Sequence, residues 1–335
     1  MKVLLRFDPT KEDLEVMKTQ WPSEIETIEI GPGGIADLGE SVKDIVAIVG
    51  SMKGANLELI QAAENLRVIH TLGHGVDAIL KGENRAELIK RGIAVGRTNP
   101  AGISISEFTI MNMIAISRRL ISIHNSLVND GDWSEKLKAD RSTGCIGGEL
   151  NDSTLGLIGY GNIAQQIAHR ARAFNMNVGA LIRRPRTIPE LDFQETDLKT
   201  FLAKSDYVVI MAPLTSLTRN LINAETIGWM KDGAYLLNMS RGPIIDEGAV
   251  HAALKSGKLS GVALDVFEVE EKGGKMKGYP SQYDFSGLNI VFTPHLCGAT
   301  KESRVRALTI VGANLKRLVS GEPLKNLVDL HNDEY

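Results

Sequence analysis

Between Leu155 and Thr293, short runs of consecutive apolar residues alternate with longer stretches of helical period. The runs are Leu155–Ile158, Val178–Ile182, Tyr207–Met211, Ala234–Asn238, Val262–Leu264 and Asn289–Thr293. Apolar at successive positions, they predict strands covered on both faces, as in a parallel sheet with helices above and below. Six such strands joined by right-handed crossovers make a doubly wound sheet. The first hundred residues alternate more loosely, strand-like at Val3–Phe7, Ile25–Ile30, Ile45–Val49 and Val68–Thr71. Gly31-Pro32-Gly33-Gly34 reads as a turn within this region. A second, smaller α/β domain is the expectation.

From Ser104 to Leu127 the apolar positions Phe108, Met111, Ile114, Ala115, Leu120 and Ile121 supply a helical stripe, opened by Ser106 and Glu107. One helix of that length is expected to cross from one domain to the other. The stretch from Lys301 to Leu318 is also helical in pattern and comes after the sixth strand. It is expected to return to the smaller domain, which then becomes discontinuous and hinged at two crossings.

Composition narrows the class. At 335 residues, 43% hydrophobic and 24% charged, the chain suits an ordinary globular protein of two domains. A net charge of −3 gives no electrostatic reason to expect nucleic acid or an anionic membrane as partner. Cys145 and Cys297 form neither a disulfide framework nor a zinc pattern, and no His, Cys or acid spacing suggests a metal. Met1 to Arg6 reaches charge too early for a signal-peptide core, and no apolar run approaches the ~18 residues that span a bilayer. A reduced, cytoplasmic compartment is the expectation.

The candidate chemistry begins at Leu155-Gly156-Leu157-Ile158, which runs into Gly159-Tyr160-Gly161-Asn162-Ile163-Ala164 and then an amphipathic segment. A Gly-x-Gly-x-x-Ala motif is weak alone, but here it ends a strand and opens a helix. Gly159 permits the tight turn, Gly161 lets the backbone approach a diphosphate, and Ala164 allows close packing of helix on strand. Unpaired N–H groups and the dipole at the helix start then favour the negative charge. NAD sites usually carry an acid at the end of the next strand, about 20 residues on. Here that strand ends in Arg183-Arg184-Pro185-Arg186, and no acid comes until Glu190. Guanidinium forks bind a 2′-phosphate that an acid would repel, so NADP(H) is expected to be preferred, with NAD possible.

Three further residues stand at predicted strand ends. Arg241 comes after the fourth strand, Glu270 lies beyond the fifth, and His295 comes after the sixth. Singly each has an ordinary reading: a surface ion pair, a solvated acid, a capping imidazole. In this order behind a dinucleotide fingerprint they suit the reduction of an anionic carbonyl compound. Arg241 would hold a carboxylate and polarise the neighbouring keto group. His295 would give the carbonyl oxygen its proton, or take it back in reverse. Glu270 would accept a hydrogen bond from the other imidazole nitrogen, fixing the tautomer and favouring the cation.

These motifs resemble those of the D-isomer-specific 2-hydroxyacid dehydrogenases. The likeness runs from about Leu150 to Thr300 and takes in the fingerprint, Pro213-Leu214-Thr215, Met239-Ser240-Arg241-Gly242, Leu264-Asp265-Val266-Phe267-Glu268 and Pro294-His295. The spacing of 29 positions from Arg241 to Glu270 also fits, and Glu270 aligns with the family's glutamate rather than Glu268 or Glu271. Gly73-His74-Gly75-Val76-Asp77 looks like the family's glycine-rich substrate loop. The resemblance implies an α/β protein with a doubly wound parallel-sheet (Rossmann) cofactor domain over 104–298. It also implies a smaller flavodoxin-like α/β substrate domain made of 1–103 and 299–335, closing during the reaction. Cofactor contacts are expected from Gly159, Tyr160, Gly161, Asn162, Ile163, Arg183, Arg184, Arg186, Pro213, Thr218, Met239, Ser240, Asp265 and Gly298. Asp265 would meet the carboxamide end of the nicotinamide. Leu72, Gly73, His74 and Gly75 would join Arg241 in binding substrate.

The implied reaction is hydride transfer between NADP(H) and a small 2-oxo acid, glyoxylate or hydroxypyruvate before others. The implied assembly is a homodimer through the larger domain, with Gly131-Asp132-Trp133 to Gly148 as a contact arm. Gly273 to Gly278 lengthens the loop between Glu270 and His295. Three other readings remain: a cofactor-sensing regulatory protein, an NAD-dependent dehydrogenase of another 2-hydroxy acid such as 3-phosphoglycerate, and an NAD-dependent dehydrogenase of a non-hydroxyacid anion such as formate. The intact trio of Arg241, Glu270 and His295 argues against the first. Cys297, near the site without an activating base, reads as a packing residue.

Overall fold

A computed structural model describes residues 1–30, 34–50, 57–77, 79–133, 147–270 and 281–331. Most of the predicted Gly31–Gly34 turn, the centre of the expected arm with Cys145, and the Gly273–Gly278 loop lie outside the described residues. The chain divides into two compact units, Met1–Ala101 with Ala299–Tyr335, and Gly102–Gly298.

The first unit is built on β1 (Lys2–Arg6), α1 (Lys11–Gln20), β2 (Glu26–Glu29), β3 (Ile45–Gly50), α2 (Leu57–Ala62), β4 (Val68–His70), α3 (Glu83–Arg91) and β5 (Ala94–Gly96). Its five strands are parallel in the order β2-β1-β3-β4-β5, the flavodoxin arrangement. β5 is absent from the sequence reading because three residues carry too little period to register. A capping box starts α1: the Thr10 hydroxyl accepts from Asp13 N, and the Asp13 carboxylate accepts from Thr10 N. That carboxylate also takes two hydrogen bonds from Arg304, at 3.0 and 3.1 Å. Burial opposes the Asp13 charge, but the Arg304 and Thr10 bonds outweigh it and hold the carboxyl below its usual range.

The second unit contains α4 (Gly102–Ser117), α5 (Leu120–Asp130), β6 (Thr154–Ile158), α6 (Asn162–Arg172), β7 (Asn177–Leu181), β8 (Phe193–Glu195) and α7 (Leu198–Lys204). It continues with β9 (Tyr207–Ile210), α8 (Ala224–Trp229), β10 (Ala234–Asn238), α9 (Glu247–Ser256), β11 (Leu259–Leu264) and β12 (Ile290–Phe292). All seven strands are parallel, in the order β12-β11-β10-β9-β6-β7-β8. This is a Rossmann sheet whose order reverses between β6 and β9. Six of the strands are those read from the sequence. The seventh, β8, is a half-buried edge carrying Gln194 and Glu195, without the apolar run that marks the others. The last helix, α10 (Lys301–Ser320), belongs to the first unit. Leu308, Val311 and Leu315 on α10 share a core with Val3, Leu5, Met17 and Trp21.

The single helix expected over Ser104–Leu127 is two. Arg119 stands between α4 and α5 with φ 51°, in the left-handed region. The physical reason comes from far along the chain. Gly148 N–H donates to Ser117 O at 3.1 Å, taking the carbonyl that a continuing helix would use. Gly147 lies so close that a Cβ there would stand 2.3 Å from that oxygen. Both helices lie in the second unit, and α5 has no buried residue. Among the described residues no helix is long and apolar enough to cross a membrane.

Candidate active site

β6 delivers the chain into the fingerprint. Gly159 has φ +88°, and a Cβ there would press on the Ala212 backbone at 3.3 Å, so glycine is required twice over. Gly161 caps α6 with extended backbone and no side-chain cap. A Cβ built at Gly161 meets no described atom within 4 Å, so bare N–H groups open the helix with space before them. Ala164 is fully buried against the sheet. These residues fit a dinucleotide diphosphate. At the end of β7, Arg183, Arg184 and Arg186 are exposed, and Arg186 Nη2 donates to Tyr160 O at 3.1 Å. The third arginine is thereby tied to the phosphate loop itself. After β9, the Thr218 hydroxyl closes the Pro213–Thr218 turn by donating to Pro213 O at 2.6 Å.

The ends of β10, β11 and β12 are neighbours in register, Asn238 beside Leu264 and Leu264 beside Phe292. Asn238 is fully buried and organises the turn that leaves β10. Its amide donates to Arg241 O at 2.8 Å and accepts from Ser240 N and Oγ at 3.1 and 3.0 Å. Arg241 leaves this turn half-buried, its Nη1 on Ser240 O at 2.7 Å. Met239 is buried beneath it. Gly242 is packed so tightly that a Cβ would stand 1.9 Å from the Phe267 carbonyl. The turn carrying Arg241 therefore abuts the segment that leads to Glu270. Glu247, buried at the start of α9, accepts from Glu268 N at 2.8 Å and fixes that segment from the other side.

Asp265, one residue beyond β11, is fully buried. Its carboxylate accepts from Thr293 Oγ1 at 2.6 Å, Leu296 N at 2.9 Å and Cys297 N at 3.0 Å. Its main-chain carbonyl accepts from His295 N at 2.8 Å. A charged acceptor taking three donors holds a turn firmly. That turn sets His295 at φ 58°, a conformation costing roughly 1–3 kcal/mol that the surrounding bonds sustain. His295 Nδ1 then meets Glu270 Oε2 at 3.1 Å. The carboxylate fixes the proton on Nδ1 and leaves Nε2 to exchange a proton with a ligand. The imidazole is half-exposed, accessible to a small molecule.

The remaining expected residues take simpler places. Gly298 O accepts from the buried Ser104 hydroxyl at 3.4 Å. Leu72 to Gly75 lie beyond β4 in the first unit, with His74 and Gly75 exposed. Cys297 is buried, and desolvation followed by the Asp265 charge pushes its thiol far above the usual range. Among the described residues no group of three His, Cys, Asp or Glu side chains is placed for a metal. Asn238, Glu247 and Thr293 are structural partners that sequence reasoning passed over. An asparagine closing an apolar strand was a usable signal for the first; the other two gave none.

Residues 110–297 match the D-isomer specific 2-hydroxyacid dehydrogenase, NAD binding domain. The chain belongs to this family. Among its relatives within the 2-hydroxyacid dehydrogenases, the glyoxylate reductase of Thermofilum pendens is 36% identical, covering 81% of this chain and 77% of that one. The D-3-phosphoglycerate dehydrogenase of Methanocaldococcus jannaschii is 34% identical over 99% of this chain, which spans 60% of that relative's length. The crystal structure of the TT0316 protein from Thermus thermophilus superposes with a TM-score of 0.80 at 29% identity, covering 98% of this chain and all of that one. Within the dehydrogenase fold so defined, the glutamate–histidine pair joins the β11 and β12 ends of the cofactor-type sheet.

Proposed function

We propose that the protein is an NADP(H)-preferring reductase that converts small 2-oxo acids, glyoxylate or hydroxypyruvate, to D-2-hydroxy acids. The hydrogen bond of 3.1 Å between His295 and Glu270, at strand ends beside that of Arg241, carries the reading. The second unit binds the dinucleotide through Gly159–Ile163, Arg183, Arg184, Arg186, Pro213, Thr218, Met239, Ser240 and Gly298. The bound nicotinamide supplies the hydride. Arg241 pairs with the substrate carboxylate, where a permanent planar cation also draws charge from the adjacent carbonyl. His295 Nε2 protonates the carbonyl oxygen as it becomes an alcohol, and Glu270 stabilises the imidazolium before that transfer. Asp265 keeps the His295 turn, and with it the proposed nicotinamide side of the site, in place. Leu72 to Gly75 supply backbone donors for the carboxylate.

The NADP(H) preference is supported by the arginines at the end of β7, by the bond from Arg186 to Tyr160 O, and by the lack of an acid before Glu190. The Thermofilum relative's name supports glyoxylate. The Methanocaldococcus relative's name supports 3-phosphoglycerate with NAD as the competing reading. A homodimer through the second unit is supported by α5, whose Leu120, Ile121, Leu127 and Val128 are exposed. Steady-state rates with glyoxylate, hydroxypyruvate, pyruvate and 3-phosphoglycerate, each with both cofactors, test the assignment. Highest kcat/KM with NADPH and glyoxylate or hydroxypyruvate is the expected result. Turnover of 3-phosphoglycerate with NAD alone overturns it.

A further inference from the structure

We propose that Glu247 is a positioning residue that acts through the Phe267–Glu270 segment to hold the Glu270 carboxylate on His295. β11 ends at Leu264, and Glu270 stands six residues further on, outside any strand. Asp265, the first of these residues, is pinned to β10: its N–H donates to Asn238 O at 3.1 Å. Beyond it the ladder stops. Among the described residues the main chain of Val266–Glu270 makes one hydrogen bond, from Glu268 N–H to Glu247 Oε1 at 2.8 Å. Phe267 is buried, whereas Glu268 and Val269 are exposed. The polar anchor of this segment therefore lies two residues before Glu270.

The other end of the anchor is rigid. Glu247 opens α9, which Asp246 caps by accepting from Ala249 N at 3.0 Å. Asp246 N–H in turn donates to Ile222 O at 2.8 Å. Gly248 packs so closely on Tyr283 that a Cβ there would stand 2.5 Å from the phenol oxygen. Glu247 itself is only 5% exposed. Burying a carboxylate is costly, and an apolar side chain would fill the same place without that cost. The helix dipole and a charge-assisted bond offset it here, and what the carboxylate adds is a hold on Glu268. At 3.1 Å the bond from His295 Nδ1 to Glu270 Oε2 is near the long end of the usual range, so small shifts of Glu270 weaken it. Arg241 and Glu247 stand six positions apart. One short segment thus carries the proposed carboxylate-binding cation and steadies the acid behind the imidazole.

This inference rests on the proposed role of Glu270 behind His295, and the test separates the two. Glu247→Ala, Glu247→Asp, Glu247→Gln, Glu270→Gln and the Glu247→Ala/Glu270→Gln pair are compared for kcat and KM. The substrates are NADPH with glyoxylate or hydroxypyruvate, whichever turns over faster, and NADPH affinity and melting temperature are measured alongside. Glu247→Ala and Glu247→Asp fall short of Glu268 N–H, and each is expected to lower kcat roughly 10- to 100-fold with KM and NADPH affinity within about threefold. Glu247→Gln keeps an acceptor oxygen and is expected to hold kcat within about threefold of the parent. Glu270→Gln is expected to lower kcat by roughly 10²-fold. Adding Glu247→Ala to it is expected to cost less than about threefold more, because the effect passes through Glu270. Losses that multiply in the pair overturn the positioning role, since a merely structural contribution is independent of position 270. Unchanged kcat in Glu247→Ala and Glu247→Asp beside a slow Glu270→Gln overturns it too, as does loss of NADPH affinity in Glu247→Asp without rescue by glutamine. Parental kcat in Glu270→Gln overturns the proton-transfer reading itself.

Discussion

At the end of β12 the chain turns over a buried carboxylate that takes three hydrogen bonds, and His295 is held in a left-handed conformation against Glu270. At the end of β7, in the same sheet, three arginines stand exposed, Arg186 tied to the phosphate loop. The difference fits the two proposed tasks, proton transfer at His295 and binding of a 2′-phosphate at the arginines. A proton donor must meet a reacting atom within a fraction of an ångström, so its backbone is fixed in advance. A phosphate carrying two charges is attracted from several directions, so guanidinium groups need not be fixed in one geometry to bind it. Hydrogen bonds fix the backbone at the end of β12, where proton transfer is proposed.

The sharpest way to break this contrast is at the imidazole. His295→Gln is expected to lower kcat by about 10²–10⁴-fold with NADPH affinity unchanged, measured by steady-state rates and fluorescence titration. Gly242→Ala addresses the rigid side indirectly. Its methyl cannot coexist with the Phe267 carbonyl 1.9 Å away, so the segment leading to Glu270 must move. A loss of about 10²-fold in kcat is expected, together with a lower melting temperature. Replacing Arg183, Arg184 and Arg186 together by serine tests the exposed side. The ratio of kcat/KM for NADPH over NADH is expected to fall by roughly tenfold or more, while kcat with saturating NADPH stays within about threefold.

The smallest effect lies in the first unit, at His70. This imidazole is buried, its Nδ1 on Thr71 O at 3.0 Å and its Nε2 facing the Asn314 amide at 2.9 Å. Asn314 is oriented by Lys325, donating to its carbonyl and accepting from its N–H, so His70 Nε2 must act as acceptor. Burial lowers the pKa of His70 below its ordinary 6.5. The unfolded chain then binds the proton more readily than the folded one, so this contribution to stability is complete above pH 6.5 and fades as pH falls below it. His70→Gln is expected to flatten the acid limb of the melting-temperature profile between pH 7 and 5, roughly the range over which histidine charges.

Local chemistry was legible from residues alone. The fingerprint could be read because Gly159 takes a left-handed turn directly after a strand and before a helix, and the largely buried strands β6, β7, β9, β10 and β11 announce themselves by apolar runs. Arg241, Glu270 and His295 could be named as candidates because a cation, an acid and an imidazole at strand ends behind a dinucleotide fingerprint suit carboxylate binding and proton transfer. The features that escaped depend on partners distant in sequence. The break at Arg119 is decided by a carbonyl at Ser117 that Gly148 captures. β5 and β8 are three-residue edge strands defined by the ladders that β4 and β7 offer them. Asp265 reads as a cofactor contact in sequence, yet in the fold three of its hydrogen bonds serve the His295 turn. Glu247 looks like an ordinary helix-start acid until Glu268 N–H is found on it.

The sulfur of Cys297 lies two residues from His295, buried and held as the neutral thiol. Peroxides and alkylating reagents attack thiolates that they can reach. Position 297 offers them none, so oxidative stress leaves the His295 turn intact where an exposed cysteine would forfeit it. Covalent inhibitors aimed at sulfur gain no purchase there, whereas acylating reagents find the half-exposed imidazole next door.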